Sequence, residues 1–336
     1  RVISDVEGHY ERPVDVVVLA DAALRGVASA LDENSAYFSP EQWRALRDRE
    51  TGMVVGVGAA TTAAACGLLV EAVDQHGPAQ RAGVAEGDCV TTVDGHPATA
   101  AALEGPEGTA VRLGIHRDGE PREVAVLRGR ARPPAVAVTP LPGRRVRVVV
   151  AEFADPVAAP LASKIAVVEP TPRGMVLDLR GNPGGRVEEA AALVDLFVGQ
   201  GTIVTTKRRV GGDSSVLATA APGDWTFPVA VLVDGSTASA AEIVAGALRD
   251  LGRAKLYGSR TYGKGSVQRV FAYDDGAALK LTVGRYYLPS GAPIADHAGL
   301  EPDVRVAVPT STGGATPGDP VLDPALVDLA AASSGR

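Results

Sequence analysis

The spacing of apolar and polar positions changes several times along the chain. Over 16–31 apolar residues recur at helical spacing, and a second helix is predicted from Pro40 behind the cap Ser39. From 67 the period shortens. Strands are predicted at 67–73, 89–93, 110–116 and 123–127, the last two joined by Asp118-Gly119, a dipeptide suited to a tight hairpin turn. Residues 132–140 contain Pro133, Pro134 and Pro140 and read as a linker. Beyond it, 145–153, the run before Asp178, 229–233 and 254–257 are short and apolar without alternation, as strands buried on both faces are. Helices are predicted at 160–168, 187–198 and 239–251, with Gly252 just past the end of the last. Strand, helix, strand is a crossover unit, so 229–233 and 254–257 are expected to run parallel. Residues 201–227 read as polar and irregular, with hairpin potential at Gly211-Gly212. A strand is predicted at 278–287, a mobile Gly-, Ser-, Thr- and Pro-rich stretch at 310–320, and a last helix packed on the core at 322–332. There is no internal repeat.

This pattern brings two residues to one edge. Ser239 opens a helix after one strand, and Lys264 lies between Gly263 and Gly265 in the loop after the next. Both fall at the carboxyl edge of a parallel sheet, where open α/β sheets carry their sites. A serine hydroxyl becomes a good nucleophile only when a base takes its proton, and a lysine serves as that base when desolvation keeps it neutral. Free N–H groups at the helix start would face a developing oxyanion. Two plainer readings stand beside this one. Ser239-Ala-Ala-Glu242 matches a capping box. Gly258 to Lys264 nearly matches a phosphate-binding loop, but Gly265 stands where that loop needs Ser or Thr. The glycine-rich turn 181–185 after Asp178 suits an oxyanion hole or a tight turn equally well.

Composition narrows the choice. At 336 residues the chain has room for two or three domains, and its net charge of -7 disfavours nucleic acid or an anionic membrane surface as partner. Lys164, Lys207, Lys255, Lys264 and Lys280 are its only lysines, which leaves few candidates for a catalytic amine. The histidines His9, His76, His96, His116 and His297 are scattered, and no metal-binding spacing or cofactor motif is present, so no cofactor or metal is expected. No apolar run is long enough to span a bilayer. Cys66 and Cys89 sit in apolar surroundings, which favours two buried free thiols, with a disulfide open in an oxidising compartment.

The segments STASAAEI and TYGKGSVQ, which carry Ser239, Lys264 and Gln268, resemble the C-terminal processing peptidases, or tail-specific proteases. Their pattern is a Ser in an SASASEI-like segment, a Lys 25 residues on in a TFGKG-like segment and a Gln four beyond, and the same spacings occur here. DLRGNPGG resembles the family's DLRxNxGG, GPAQRAGVAEGDCVTTVDG resembles the core of PDZ domains, and LDENSAYF resembles the LDPHSxYL segment before that domain. The tail LPSGAPIADHAGLEPDVRV is also similar, with extra residues near Asp296-His297. The likeness extends from about Leu19 to Ala332.

The resemblance implies an α+β fold: a ClpP/crotonase-like protease core (132–336, with a C-terminal helix), an inserted PDZ domain (51–131) and an N-terminal helical segment (1–50). It implies a serine endopeptidase acting near the C-terminal tails of polypeptides, with an apolar tail preference. Ser239 would be the nucleophile, Lys264 the general base and Gln268 the residue that orients the lysine. The backbone N–H groups of Gly185 and Ala240 would form the oxyanion hole, with Asp178, Arg180 and Asn182 holding the turn. Gly56-Val57-Gly58 would offer backbone N–H groups to a substrate's terminal carboxylate. Only nine residues separate Gly95 from Gly105, so the helix that walls the peptide groove is expected to be short, and the domain to bind tails weakly and act as a lid or spacer. A homo-oligomer through the terminal helices and export from the cytoplasm are further expectations. The alternative is a latent or non-catalytic peptide-binding scaffold on the same fold.

Overall fold

The computed structural model describes residues 1–50, 54–132, 134–154, 156–217, 225–306 and 319–334. The N-terminal segment holds α1 (Val2–His9), α2 (Val16–Ser29), β1 (Ala36–Phe38) and α3 (Pro40–Glu50). Asp15 caps α2, its Oδ1 accepting from Val17 N–H at 2.8 Å. Ser39 caps α3 through a reciprocal box with Gln42. The segment is not wholly helical as expected, because β1 adds itself antiparallel to a strand near the chain's other end.

The next unit comprises β2 (Val54–Gly56), β3 (Ala59–Ala64), β4 (Gly67–Val73), α4 (Pro78–Arg81), β5 (Cys89–Val93), β6 (His96–Pro97), α5 (Ala100–Leu103), β7 (Ala110–Arg117), β8 (Glu120–Leu127) and β9 (Gly129–Ala131). Strands β3-β4-β5-β7-β8 form an antiparallel sheet with β6 on β5, while β2 and β9 pair separately. The β7–β8 turn has Asp118 at φ 54° and Gly119 at φ 83°, the two positive φ values a tight hairpin requires. Alternate inward residues, among them Val70, Val90, Leu113 and Val126, make a separate apolar core. As the spacing predicts, α5 is a single turn, capped by Thr99. The expectation of two buried free thiols is corrected. Cys66 and Cys89 form a disulfide, because the β3–β4 hairpin carries exposed Cys66 back over β5, whose first residue is Cys89.

The core contains β10 (Val136–Leu141), β11 (Arg145–Val150), α6 (Ala158–Ala166), β12 (Gly174–Asp178), α7 (Val187–Asp195), β13 (Thr202–Arg208), β14 (Ser214–Leu217), β15 (Val229–Val233), α8 (Ala240–Asp250), β16 (Ala254–Gly258), β17 (Ser266–Ala272), β18 (Ala278–Tyr287), β19 (Val304–Arg305) and α9 (Leu322–Ser334). A six-stranded sheet runs β10-β11-β12-β15-β16-β19, antiparallel only between β10 and β11. Every residue of β12 and β15 is buried, since α7 and α8 pack in the large apolar core and α9 closes a second, smaller one. Each such valine or leucine contributes about 1.5–3 kcal/mol of burial.

A second sheet has the order β1-β18-β13-β14, with β17 also on β18. Two readings change here. The linker 132–140 is in part the edge strand β10, and an edge tolerates Pro140 because its partnerless side needs no N–H. Residues 201–227 are not irregular throughout, for β13 and β14 form a hairpin around Gly211-Gly212. Most of the stretch expected to be mobile, at 310–320, lies outside the described residues.

Candidate active site

Three turns leave the carboxyl ends of β12, β15 and β16, and hydrogen bonds join them side by side. After β12, Asn182 is fully buried; its Nδ2 donates to Val150 O (2.8 Å) and its Oδ1 accepts from Gly184 N–H (2.8 Å). After β15, Asp234 Oδ1 accepts from Ser236 and Thr237 of its own turn and from Gly181 N–H of the first turn (3.0 Å). Ala238 N–H donates to Asn182 O, and Tyr262 N–H of the third turn donates to Thr237 O. One carboxylate and one amide anchor this framework. It is side-chain and backbone pairing of the kind that Asx turns supply.

Ser239 sits at the junction of the β15 turn with α8, at φ 55° and ψ -118°. For a residue with a side chain this is strained backbone, of the kind held at functional sites at a cost of roughly 1–3 kcal/mol. Glu242, one turn into α8 and fully buried, holds the junction in place. Its Oε2 accepts from Ser239 N–H and from Lys264 N–H, each at 2.8 Å. Its Oε1 accepts from Thr261 Oγ1 at 2.6 Å and Gly263 N–H at 2.8 Å. One carboxylate oxygen thus binds the backbone of both the candidate nucleophile and the candidate base. The sequence identifies Glu242 only as a capping partner. The signal for the larger role is a fully buried acid whose further partners lie on the loop after β16, and that shows only in three dimensions.

The flanking glycines of Lys264 are required by close approach. A Cβ on Gly263 would lie 2.6 Å from Gly299 N, and one on Gly265 would lie 1.8 Å from Ile294 O. Lys264 is half-buried, and burial first, then the positive charge of Lys280, lower its pKa below the ordinary lysine value, with Glu33 acting in the opposite sense. Lys280 comes from β18, where β1 pairs, and Asp32 anchors the preceding loop by accepting from Ser35 and Thr282 hydroxyls (3.1 Å each). The N-terminal segment therefore borders the site.

Gly184 passes close against Ser239. A Cβ on Gly184 would lie 2.8 Å from Ser239 Cβ and 2.9 Å from Ala240 N. Ala240 is the first residue of α8, where the N–H has no partner within the helix. Gly185 forms an isolated parallel bridge with Phe153, held by Phe153 N–H to Gly184 O and Arg186 N–H to Phe153 O. Neither bond uses the N–H of Gly185.

Gln268 is placed differently from expectation. It lies in β17 just past a register shift, and its Nε2 donates to Ser266 Oγ at 2.7 Å. The shift leaves its extra residue, Val283, on β18, opposite Val267 and Gln268. Gly56-Val57-Gly58 also departs from expectation, because Val57 N–H donates to Leu103 O (3.2 Å) at the end of the short α5. A cavity of about 260 Å³ begins at these residues and continues between β3 and the core, where Ala137 and Val149 line it. Glu71 on β4 lines it too and is buried.

From Glu71 an alternating run of charges crosses to the site. Arg147 Nη1 donates to Glu71 Oε1 (2.9 Å) and its Nη2 to Asp178 Oδ2 (2.8 Å). Asp178 in turn accepts from Arg180 (2.6 Å), which reaches Asp319 (2.7 Å). Asp178 thereby fixes the start of the glycine turn. Among the described residues no group of three or more His, Cys, Asp or Glu is placed to hold a metal ion.

A model described as Peptidase family S41 matches residues 148–306, and a PDZ domain model matches residues 69–117. The carboxy-terminal-processing protease of Bartonella bacilliformis is 33% identical over 324 residues, which cover 92% of this chain and 74% of that protein. A probable CtpA-like serine protease of Staphylococcus haemolyticus is 32% identical over 312 residues, 89% of this chain but 62% of that protein. Among solved structures, the photosystem II D1 C-terminal processing protease superposes with a TM-score of 0.59 at 28% identity, covering 90% of this chain and 88% of that one.

Proposed function

The chain belongs to peptidase family S41, in its branch of C-terminal processing serine peptidases, and from that premise we propose that Ser239 and Lys264 are its catalytic dyad. The observation that carries the proposal is the single Glu242 oxygen bonded to both their backbones. Neutral Lys264 takes the proton of Ser239 as Oγ attacks a peptide carbonyl carbon. The N–H groups of Ala240 and Gly185 stabilise the oxyanion. Lys264 returns the proton to the departing amine, leaving an acyl-enzyme. Water then attacks the ester, again losing its proton to Lys264, and Ser239 is restored. In this reading Gln268 orients Lys264 through its amide oxygen, while its Nε2 bond to Ser266 Oγ holds the amide in place.

The substrates are polypeptides, and we place their cleavage near an apolar C-terminal tail. The PDZ domain, with its one-turn α5 and its Val57 N–H already bonded, binds such tails weakly and serves mainly as a lid. The Cys66–Cys89 disulfide supports an oxidising, exported location. No described helix is long and apolar enough to cross a membrane. The test of the dyad is to quench the protein in acid early in turnover of a peptide thioester and map the adduct by mass spectrometry. The adduct is expected on the peptide containing Ser239 and is lost in Ser239→Ala and Lys264→Ala. Turnover with the adduct on another residue would overturn the assignment.

A further inference from the structure

Strand β17 begins two residues after Lys264 and pairs with β18 alone among the described residues, so its other edge has no strand beside it. Residues 269–272 are exposed on both faces, with Val270 at 39% and Phe271 at 36%, and Tyr273 follows at 47%. Natural edges are usually protected by charge, proline or a bulge. Here the register shift lies at Val267/Gln268, and Arg269, stacked over Phe271, is the one charge on the strand. Its outer half, Val270 to Ala272, has no such protection.

The backbone groups on this edge can be assigned. Tyr273 N–H donates to Ala277 O (2.9 Å), one step past the pair Ala272 and Ala278. Bonded and non-bonded pairs alternate along an antiparallel ladder. Tyr273, Phe271 and Arg269 therefore direct their N–H and C=O groups to β18, and Val270 and Ala272 direct theirs outward.

We propose that this edge is the substrate-binding site for the polypeptide main chain, which adds to β17 as a further strand and so enters the site along the segment that carries Lys264. The proposal rests on the peptidase reading above, which makes the occupant a polypeptide. A strand edge reads the backbone that all polypeptides share and leaves side chains to shallow contacts. That suits a site that must take unfolded tails of varied sequence, with Val270 on one face and Phe271 on the other as apolar contacts. The strand is continuous with the loop that holds the candidate base, so a chain added to it runs in the direction of Lys264.

The test uses the full chain carrying Ser239→Ala and a fluorescein-labelled unstructured peptide of valine, threonine and serine ending in alanine. Residue-resolved amide exchange is followed by NMR with and without saturating peptide. Val270 and Ala272 amides are expected to exchange fast in the free chain and to slow at least about tenfold with peptide, while Arg269 and Phe271 are slow throughout. Val270→Pro, which removes one outward N–H and leaves the β18 ladder intact, should weaken binding about tenfold, and Val270→Thr should not. Unchanged exchange at Val270 and Ala272 in the saturated chain would overturn the proposal. So would a free chain that sediments as a dimer and becomes monomeric on Val270→Pro, since the edge would then belong to a second copy. Protection without cleavage by the unaltered chain would instead count against the dyad and leave the edge standing.

Discussion

Replacing Glu242 by Gln tests the site at the point where its parts join. The carboxylate accepts from Ser239 N–H, Lys264 N–H, Thr261 Oγ1 and Gly263 N–H in a fully buried position. An amide has one oxygen to offer. In its better rotamer that oxygen faces Ser239 and Lys264, and the amide nitrogen faces Thr261 and Gly263. The threonine hydroxyl, which already accepts from Leu300 N–H at 2.7 Å, can turn to accept again. Gly263 N–H cannot, and a stranded buried donor costs about 1–3 kcal/mol. The two remaining bonds lose charge assistance, roughly 1 kcal/mol each. The sum is about 3–5 kcal/mol, concentrated on the backbone of the two reacting residues. Urea denaturation should show a loss of that size. The kcat/KM for an unfolded reporter should fall further than stability alone explains, at temperatures where the variant is fully folded. A variant with the urea midpoint and kcat/KM of the original chain would refute the reasoning, because the network would then hold nothing in place.

If Lys264 acts as the neutral base, kcat/KM rises with pH along a limb set by its lowered pKa; Lys280→Gln, which removes a like charge, moves that limb to higher pH, and Glu33→Gln moves it lower. A limb unmoved by both contradicts the assignment. The same shift has a stability sign. Between the lowered folded pKa and the unfolded value near 10.4, the unfolded chain holds a proton the folded one lacks, so stability should climb with pH there, and Lys264→Met should flatten the climb in pH-dependent urea titrations. Arg147→Met leaves the buried Glu71 and Asp178 without a shared countercharge and should cost about 3–5 kcal/mol by urea denaturation, where a loss under about 1 would show that the pair is not structural. Reducing Cys66–Cys89, which closes a loop of sequence separation 23, should lower stability by about 3 kcal/mol, seen as a drop in Tm with reductant that Cys66→Ser/Cys89→Ser reproduces without it.

Much of the frame was readable from pattern. The apolar runs that became β12, β15 and β16, and the helix behind Ser239, carry their own periodicity and turn residues, and with them came the shared edge of Ser239 and Lys264. Asp118-Gly119 set its hairpin by local backbone preference alone. What the sequence hid depends on distant partners. Strand β10 was obscured by Pro140, which its edge position tolerates. Strand β17 lacks the alternation of a half-buried strand because residues 269–272 are exposed on both faces. The pairing of Cys66 with Cys89 follows from hairpin geometry, and the ion pair of Glu71 with Arg147 bridges 76 positions of sequence. Glu242 was visible as a helix cap, yet three of its four bonds go to residues that the cap motif does not mention or reach. Gln268 matched by spacing, but its bond to Ser266 depends on a side-chain rotamer that residue type does not set.

The most direct measurement is cleavage of an unfolded reporter protein with an apolar C-terminal tail, comparing the unaltered chain with Ser239→Ala and Lys264→Ala by mass spectrometry of the products. The account predicts cuts by the unaltered chain and none by either variant, with both variants folded by circular dichroism. Cleavage that survives in a folded Ser239→Ala or Lys264→Ala chain would contradict it.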